Sequence, residues 1–261
     1  MEEKDVIEFL RFLKQVKETD LSKETLEAFG YTEREIQKAH AQIDEIANEF
    51  ANPKPASEGK FKIPHKFLCE AALRGYESEG FEGILNAFYA YKEFDGKLDT
   101  DYCKTLVALY EDENNYLYVH NTCYKYAVPD EEMHSRVQSI CQNGLFIPHP
   151  ERSTGSVISY TTMNTHDDTS LGIFPIMRYW AMQKGVVVLQ IPKNEIDGQK
   201  PVIGHNGHLI DGYVGVVLPK YVVGYTENEK FIPNPVPQNE RATYKYAVKD
   251  ESSVISELQW Q

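Results

Sequence analysis

Apolar side chains recur along the first part of the chain at intervals of three and four. Val6, Phe9, Leu10, Leu13 and Val16 share one face of a helix predicted over 2–17. "SKETLEAFGYTERE" then reads as a short helix ending near Gly30. Thr32-Glu-Arg-Glu35 has the form of a capping box, in which each side chain satisfies the other residue's backbone N–H, and it opens the next helix. That helix turns Ile36, Ala39, Ile43, Ile46, Ala47 and Phe50 inward and stops before "NPKPASEGK", a proline-rich loop. The same spacing resumes in "HKFLCEAALRGYES", "EGILNAFYAYKEF" and "TDYCKTLVALYEDE". Residues 1–113 therefore read as an all-α domain of five or six helices, without a repeat of fixed period.

From Tyr116 the period changes. "YLYVH", "SVISYTT", "GVVVLQI" and "YVGVVLPKYVVGYT" are rich in Val, Ile and Tyr and bounded by Gly, Pro or Asn, which predicts strands. Helical stretches separate them, "DEEMHSRVQSICQNG" and "LGIFPIMRYWAMQKG", each ending at a glycine suited to the position after a helix. Pro129 with Asp130, Glu131 and Glu132 starts the first of these, its acids at the positive end of the helix dipole. Two polar connections, 148–157 and 194–212, read as long loops of the kind that line binding sites. The tail from Phe231 is proline-rich, then offers one more edge strand. The fold class is α+β: helices at 1–113, a sheet domain at 114–235 and a tail at 236–261.

Charge narrows the partners. Forty acidic against 27 basic residues leave a net charge of −13, which disfavours nonspecific binding to a phosphate backbone but leaves room for a local basic pocket. No apolar run approaches the roughly 18–20 residues of a membrane span, so no membrane partner is expected. The N-terminus is acidic and amphipathic, unlike a cleavable secretory signal. Cys69, Cys103, Cys123 and Cys141 form no C-x-x-C pair and are too sparse for a disulfide framework. Reduced thiols are expected, in the cytoplasm or in a toxin or effector delivered to a target cell without a cleavable signal.

The candidate chemistry begins at "NNYLYVHNTCY" (114–124), where a strand runs up to His120, Asn121 and Thr122. Extended backbone puts the Thr122 hydroxyl on the same face as His120. Ile140-Cys-Gln-Asn-Gly144-Leu145 closes the following helix, "ISYTT" carries Tyr160 and Thr161, and Pro219-Lys-Tyr221-Val-Val-Gly224-Tyr225 ends the last strands. In order and spacing these motifs resemble the ADP-ribosyltransferase family over roughly residues 115–228, leaving the N-terminal helices outside the likeness. The resemblance implies a split β-sheet that binds NAD as a substrate, without a metal. By it, His120 and Thr122 hold the nicotinamide ribose and amide beside Asn121, Tyr160 stacks on the nicotinamide ring, and Thr161 lies nearby.

Cleavage of NAD expels neutral nicotinamide and leaves positive charge on the ribose, an oxocarbenium-like transition state. An imidazole, backbone groups and an aromatic ring suit the holding, orienting and stacking this requires. The family usually completes its site with a carboxylate that bonds the ribose 2′-hydroxyl and polarises the nucleophile. Here the sequence departs: the expected place reads Gly212-Tyr213-Val214-Gly215, with no glutamate. Asp211 is the first candidate for that acid and Glu195 the second. Arg136 or Arg152 would meet the pyrophosphate, since a planar guanidinium suits phosphate oxygens. The expected activity is mono-ADP-ribosyl transfer to a macromolecular acceptor, protein favoured over nucleic acid, or NAD hydrolysis.

Other classes compete for the same residues. An inactive nucleotide-binding module joined to a helical adaptor needs no acid. His205, His208 and Asp211, with His166, Asp167 and Asp168, could form the first shell of a metal-dependent hydrolase. Against it, His205-Asn-Gly-His208 lies in a turn, and Asn206-Gly207 is itself a hairpin signal. A cysteine protease would need an activated Cys123 or Cys141. Cys123 falls on the face opposite His120 in a continuing strand, and Cys141 on an apolar helix face. Singly, a strand-end histidine or a Tyr near a strand end is most often structural; the ordered set carries the reading.

Overall fold

The computed structural model describes residues 3–122, 129–146, 157–162, 172–182, 185–196, 201–203, 209–214, 216–242, 244–245 and 259–260. The chain forms two compact units, Met1–Thr100 with Thr169–Phe174, and Asp101–Asp168 with Pro175–Gln261.

The first unit holds α1 (Glu3–Thr19), α2 (Lys23–Ala28), α3 (Glu33–Ala51), α4 (His65–Glu79) and α5 (Phe81–Phe94). Ser22 caps α2 by accepting the Thr25 N–H. The capping box of α3 has both arms: the Glu35 carboxylate accepts the Thr32 N–H at 2.8 Å, and the Thr32 hydroxyl accepts the Glu35 N–H at 3.4 Å. Phe9, Leu13 and Val16 are buried with Ile36, Ile43, Ile46 and Phe50, the positions picked out by helical spacing. Helices α4 and α5 meet backbone to backbone at Gly75 and Gly83, where a Cβ added to Gly83 would lie 1.9 Å from the Gly75 carbonyl oxygen. Close by in sequence to α4, Lys62 donates to Asp95 at 2.6 Å, to the Tyr91 hydroxyl at 2.8 Å and to Glu49 at 3.1 Å.

The second unit takes nearly all of α6 (Thr100–Tyr110), which hydropathy alone groups with the helical half. Then follow β1 (Asn115–Asn121), α7 (Asp130–Asn143), β2 (Leu145–Phe146), β3 (Val157–Thr162), α8 (Phe174–Met182), β4 (Val186–Pro192), α9 (Lys193–Ile196), β5 (Pro201–Ile203), β6 (Leu209–Val214), β7 (Val216–Val217), β8 (Val222–Glu227), β9 (Lys230–Pro233), β10 (Tyr244–Lys245) and β11 (Gln259–Trp260). Seven of the strands form one sheet in the order β5-β6-β3-β1-β4-β8-β9, every pairing antiparallel; β2 pairs with β7 and β10 with β11. Helix α7 covers one face through Met133, Val137 and Cys141, which pack with Tyr118, Val187, Leu189, Ile191 and Val222. The molecule is thus mixed helix and sheet, with its helical unit first.

Three stretches differ from the sequence expectation. The segment 194–212, expected as a loop, contains the end of α9, all of β5 and the start of β6. Strand β5, of three residues, is too short to display a period of two, and pairing with β6 defines it. Phe231–Pro233, expected as the start of the tail, belongs to strand β9, joined to β8 by a hairpin whose turn puts Asn228 (φ 50°) and Glu229 (φ 56°) in the left-handed region. Gly144 (φ 79°) follows α7 directly as expected, but Gly185 (φ 66°) lies three residues past the end of α8 and opens β4 instead. Most of the expected loop 148–157 lies outside the described residues.

Candidate functional site

The sheet is joined unevenly around β1. Along β4 it pairs over its whole length, from Asn115↔Pro192 to Asn121↔Val186. Against β3 it has two rungs among the described residues, Tyr118↔Thr162 and Val119↔Thr161. On its other edge, from Val157 to Tyr160, β3 pairs with β6. Among the described residues the β1–β3 ladder thus ends at Val119↔Thr161, and the first positions past that rung are His120 and Tyr160.

Register also assigns faces. In an antiparallel ladder opposed residues share a face and successive residues alternate. Thr161 stands opposite Val119, so Tyr160 occupies the face of His120. Tyr160 stands opposite Asp211 in the β3–β6 ladder. Positions 120, 160 and 211 thus form a row on one face of three successive strands, with the outer two about 10 Å apart at two strand spacings. This is the face of Tyr118 and of Val187, the β4 partner of His120, and it is the face that α7 packs against.

His120 is half-buried, and burial alone pushes its imidazole down to about 4. The ring is neutral at pH 7, with one nitrogen a donor and the other an acceptor. Such a ring can grip a sugar hydroxyl without placing a second positive charge beside a developing oxocarbenium ion.

Other expected residues fall elsewhere. Asn121 and Thr161 occupy the opposite face by alternation. Thr122 is buried, and its hydroxyl donates to the Gly185 carbonyl at 2.9 Å, so its proton is engaged within the protein. Glu195 lies on α9, directly after the β4 end that pairs with Asn115. That is the far end of β1 from His120, roughly 15 Å along the strand. The second candidate acid is therefore removed from the row. Arg136 reaches the end of β1, donating to the Thr122 carbonyl at 2.8 Å and pairing with Glu132 at 2.5 Å. Arg152, the His205–His208 turn, His166, Asp167, Asp168 and Cys123 lie outside the described residues.

Cys141 is buried in α7 and burial pushes its thiol up to about 11, a poor nucleophile. Among the described residues, no group of three or more His, Cys, Asp and Glu side chains could hold a metal ion, and no helix is long and apolar enough to cross a membrane.

One residue at this site escaped sequence reasoning. Gly185 carries the carbonyl that Thr122 binds, and a Cβ there would lie 2.6 Å from Met133 Cγ and 2.8 Å from the Thr122 hydroxyl. A glycine between a helix and a strand was the available signal, but it also fits an ordinary helix stop.

Compared with protein-family models, with curated proteins and with solved structures, the chain matches none.

Proposed function

We propose that this protein binds NAD where the β1–β3 ladder ends, breaks the bond between nicotinamide and ribose, and passes ADP-ribose to a macromolecular acceptor, protein favoured over nucleic acid, or to water. The observation that carries this reading is the row His120–Tyr160–Asp211 just past the last described β1–β3 rung. His120 holds the nicotinamide ribose, Tyr160 stacks on the departing ring and Asp211 is the acid. The bonding pair of the ribose C1′–N bond leaves with nicotinamide, which departs neutral. The acceptor's lone pair then bonds C1′, and its proton passes to the Asp211 carboxylate. Asp211 stands in for the glutamate that the resemblance leads one to expect in Gly212-Tyr213-Val214-Gly215, just after it.

A second reading has its own support. Strand β6 carries no acid after Asp211, so a module that binds nucleotide without turnover fits the same row. One experiment separates them. The full chain is incubated with NAD labelled in its adenylate and with lysate, and released nicotinamide is measured. His120→Ala, Tyr160→Ala and Asp211→Asn are each expected to lower release and transfer by on the order of 10²-fold, with the ligand-free melting temperature little changed. A rise in melting temperature with NAD but no release would identify the inactive module. No rise and no release would remove NAD from consideration.

A further inference from the structure

The end of β1 is held by more than its ladder. The last β1–β4 rung is Asn121↔Val186, yet Thr122 extends the connection by one residue, its N–H donating to the Gly185 carbonyl at 3.4 Å and its hydroxyl to the same oxygen at 2.9 Å. Gly185 is fixed in turn, its N–H donating to the Thr226 carbonyl of β8 at 3.0 Å. From the other side Arg136 of α7 donates one guanidinium nitrogen to the Thr122 carbonyl at 2.8 Å and the other to Glu132. Gly185 has φ 66°, and a Cβ on it would strike Met133 and Thr122, so the junction closes only around a glycine. A surface Arg–Glu pair one helical turn apart is worth little by itself. It does not account for an arginine that also spends a donor on the main chain two residues beyond His120.

From this geometry we infer that Arg136 and Thr122 are positioning residues, a clasp that fixes the end of β1 and with it the His120 imidazole. Arg136 then acts through the backbone of Thr122 and does not bind pyrophosphate, and Thr122 acts through Gly185 and does not bind ribose. The inference rests on the proposed role of His120 for its effect on turnover, but the clasp itself is testable without NAD. The titratable groups around it among the described residues are Glu132, His134 and Arg136 on α7 and Glu227 at the end of β8, where His134 and Glu227 meet at 2.5 Å. Burial alone, and none of these charges, holds the His120 ring neutral, so a ring set loose toward water titrates higher.

The experiment follows the His120 ring by nitrogen-15 NMR across pH in the full chain, in wild type and in Arg136→Gln, Thr122→Val and Thr122→Ser. The clasp predicts that Arg136→Gln and Thr122→Val raise the midpoint by about one pH unit toward the free value near 6.5. Thr122→Ser, which keeps the hydroxyl, is expected to restore the wild-type midpoint. In parallel, melting shifts are compared with NAD and with free nicotinamide as ligands. A positioning residue weakens both alike, whereas a pyrophosphate ligand would weaken NAD alone. An unmoved His120 midpoint in both Arg136→Gln and Thr122→Val, or a loss confined to NAD, overturns the inference. If wild type ignores NAD altogether, the proposed function fails while the titration still decides the clasp.

Discussion

In the helical unit, Lys62 lies part-buried between Glu49 and Asp95 with the Tyr91 hydroxyl on it; in the sheet unit, His120 is withdrawn from water near the end of β1. Both units thus take a titratable base out of solvent, by different means. Burial pushes the Lys62 ammonium down, but the hydrogen bonds and charges of Asp95 and Glu49 outweigh it and hold it above its ordinary value. Burial likewise pushes Glu49 up, and Lys62 and Lys92 bring it below the usual carboxylate range. Charge is balanced by charge, and the cluster ties the segment before α4 to α3 and α5. At His120 no charge among the described residues contributes, and burial makes the ring neutral instead. Balanced groups are committed to the fold, while a neutral imidazole retains one donor and one acceptor nitrogen.

His65 supplies an internal control. It too is half-buried with a lowered pKa, from burial and then from the Lys62 charge. Its ring lies 4.7 Å from that of Phe50 and 6.0 Å from that of Tyr91, among core side chains of the helical unit. A lowered histidine alone therefore does not mark a site; His120 differs from His65 in standing just past the last described β1–β3 rung.

The sharpest test of the helical side is Gly83→Ala. A Cβ meeting the Gly75 main chain cannot be accommodated by rotamer change, so α4 and α5 must part, at an expected loss of about 3 kcal/mol or more. Urea midpoints would measure it, and a loss under about 1 kcal/mol would mean the hairpin is looser than its geometry implies. Next comes Lys62→Met, expected to cost about 2 kcal/mol at pH 7 by taking the ion pair from part-buried Asp95 and leaving Glu49 with Lys92 alone. The lowered Glu49 contributes stability above the unfolded carboxylate pKa of about 4.3, lost as pH falls through its folded value. The raised Lys62 contributes below about 10.4, lost as pH rises through its folded value. Stability in Lys62→Met should accordingly be flatter at both extremes than in wild type, as denaturation across pH would report.

His120 predicts a smaller effect in a different window. Its folded value near 4 lies below the unfolded value of about 6.5, so unfolded chains bind the proton first. The stability it contributes is present above pH 6.5 and lost as pH falls toward 4, on the order of 1–2 kcal/mol after allowance for its partial exposure. His120→Asn should abolish that slope without altering the acid limb due to Glu49; an unchanged slope would equate the two regions after all. Smallest is Glu229→Gly, which relieves a left-handed residue in the β8–β9 turn and should stabilise by about 0.5–1 kcal/mol. Calorimetry would detect it, and a destabilisation would mean that the Glu229 side chain holds the turn.

Much was legible because it is local. The helical face of α3, its capping box and the strand up to His120 depend on neighbours within a few residues, and they stand where the pattern put them. Strands β5 and β9 were not legible, since three or four residues carry no period of their own and acquire extended form from a partner strand. The same limit applied to the acids. Asp211 and Glu195 are equivalent as residues in a polar stretch, but one stands opposite Tyr160 and the other beyond the start of β1. Arg136 and Thr122 offered donors that suited NAD, and the fold engages both at Gly185 and the end of β1.

What the chain determined by itself was the character of each segment, because helix and strand periodicity, caps and turns are set by side chains close in sequence. Which strands would neighbour one another, where the β1–β3 ladder would end and which carboxylate would share a face with His120 came from pairing between residues 42 to 77 positions apart. Register across such distances depends on burying one whole face of the sheet at once, and no single segment contains that information.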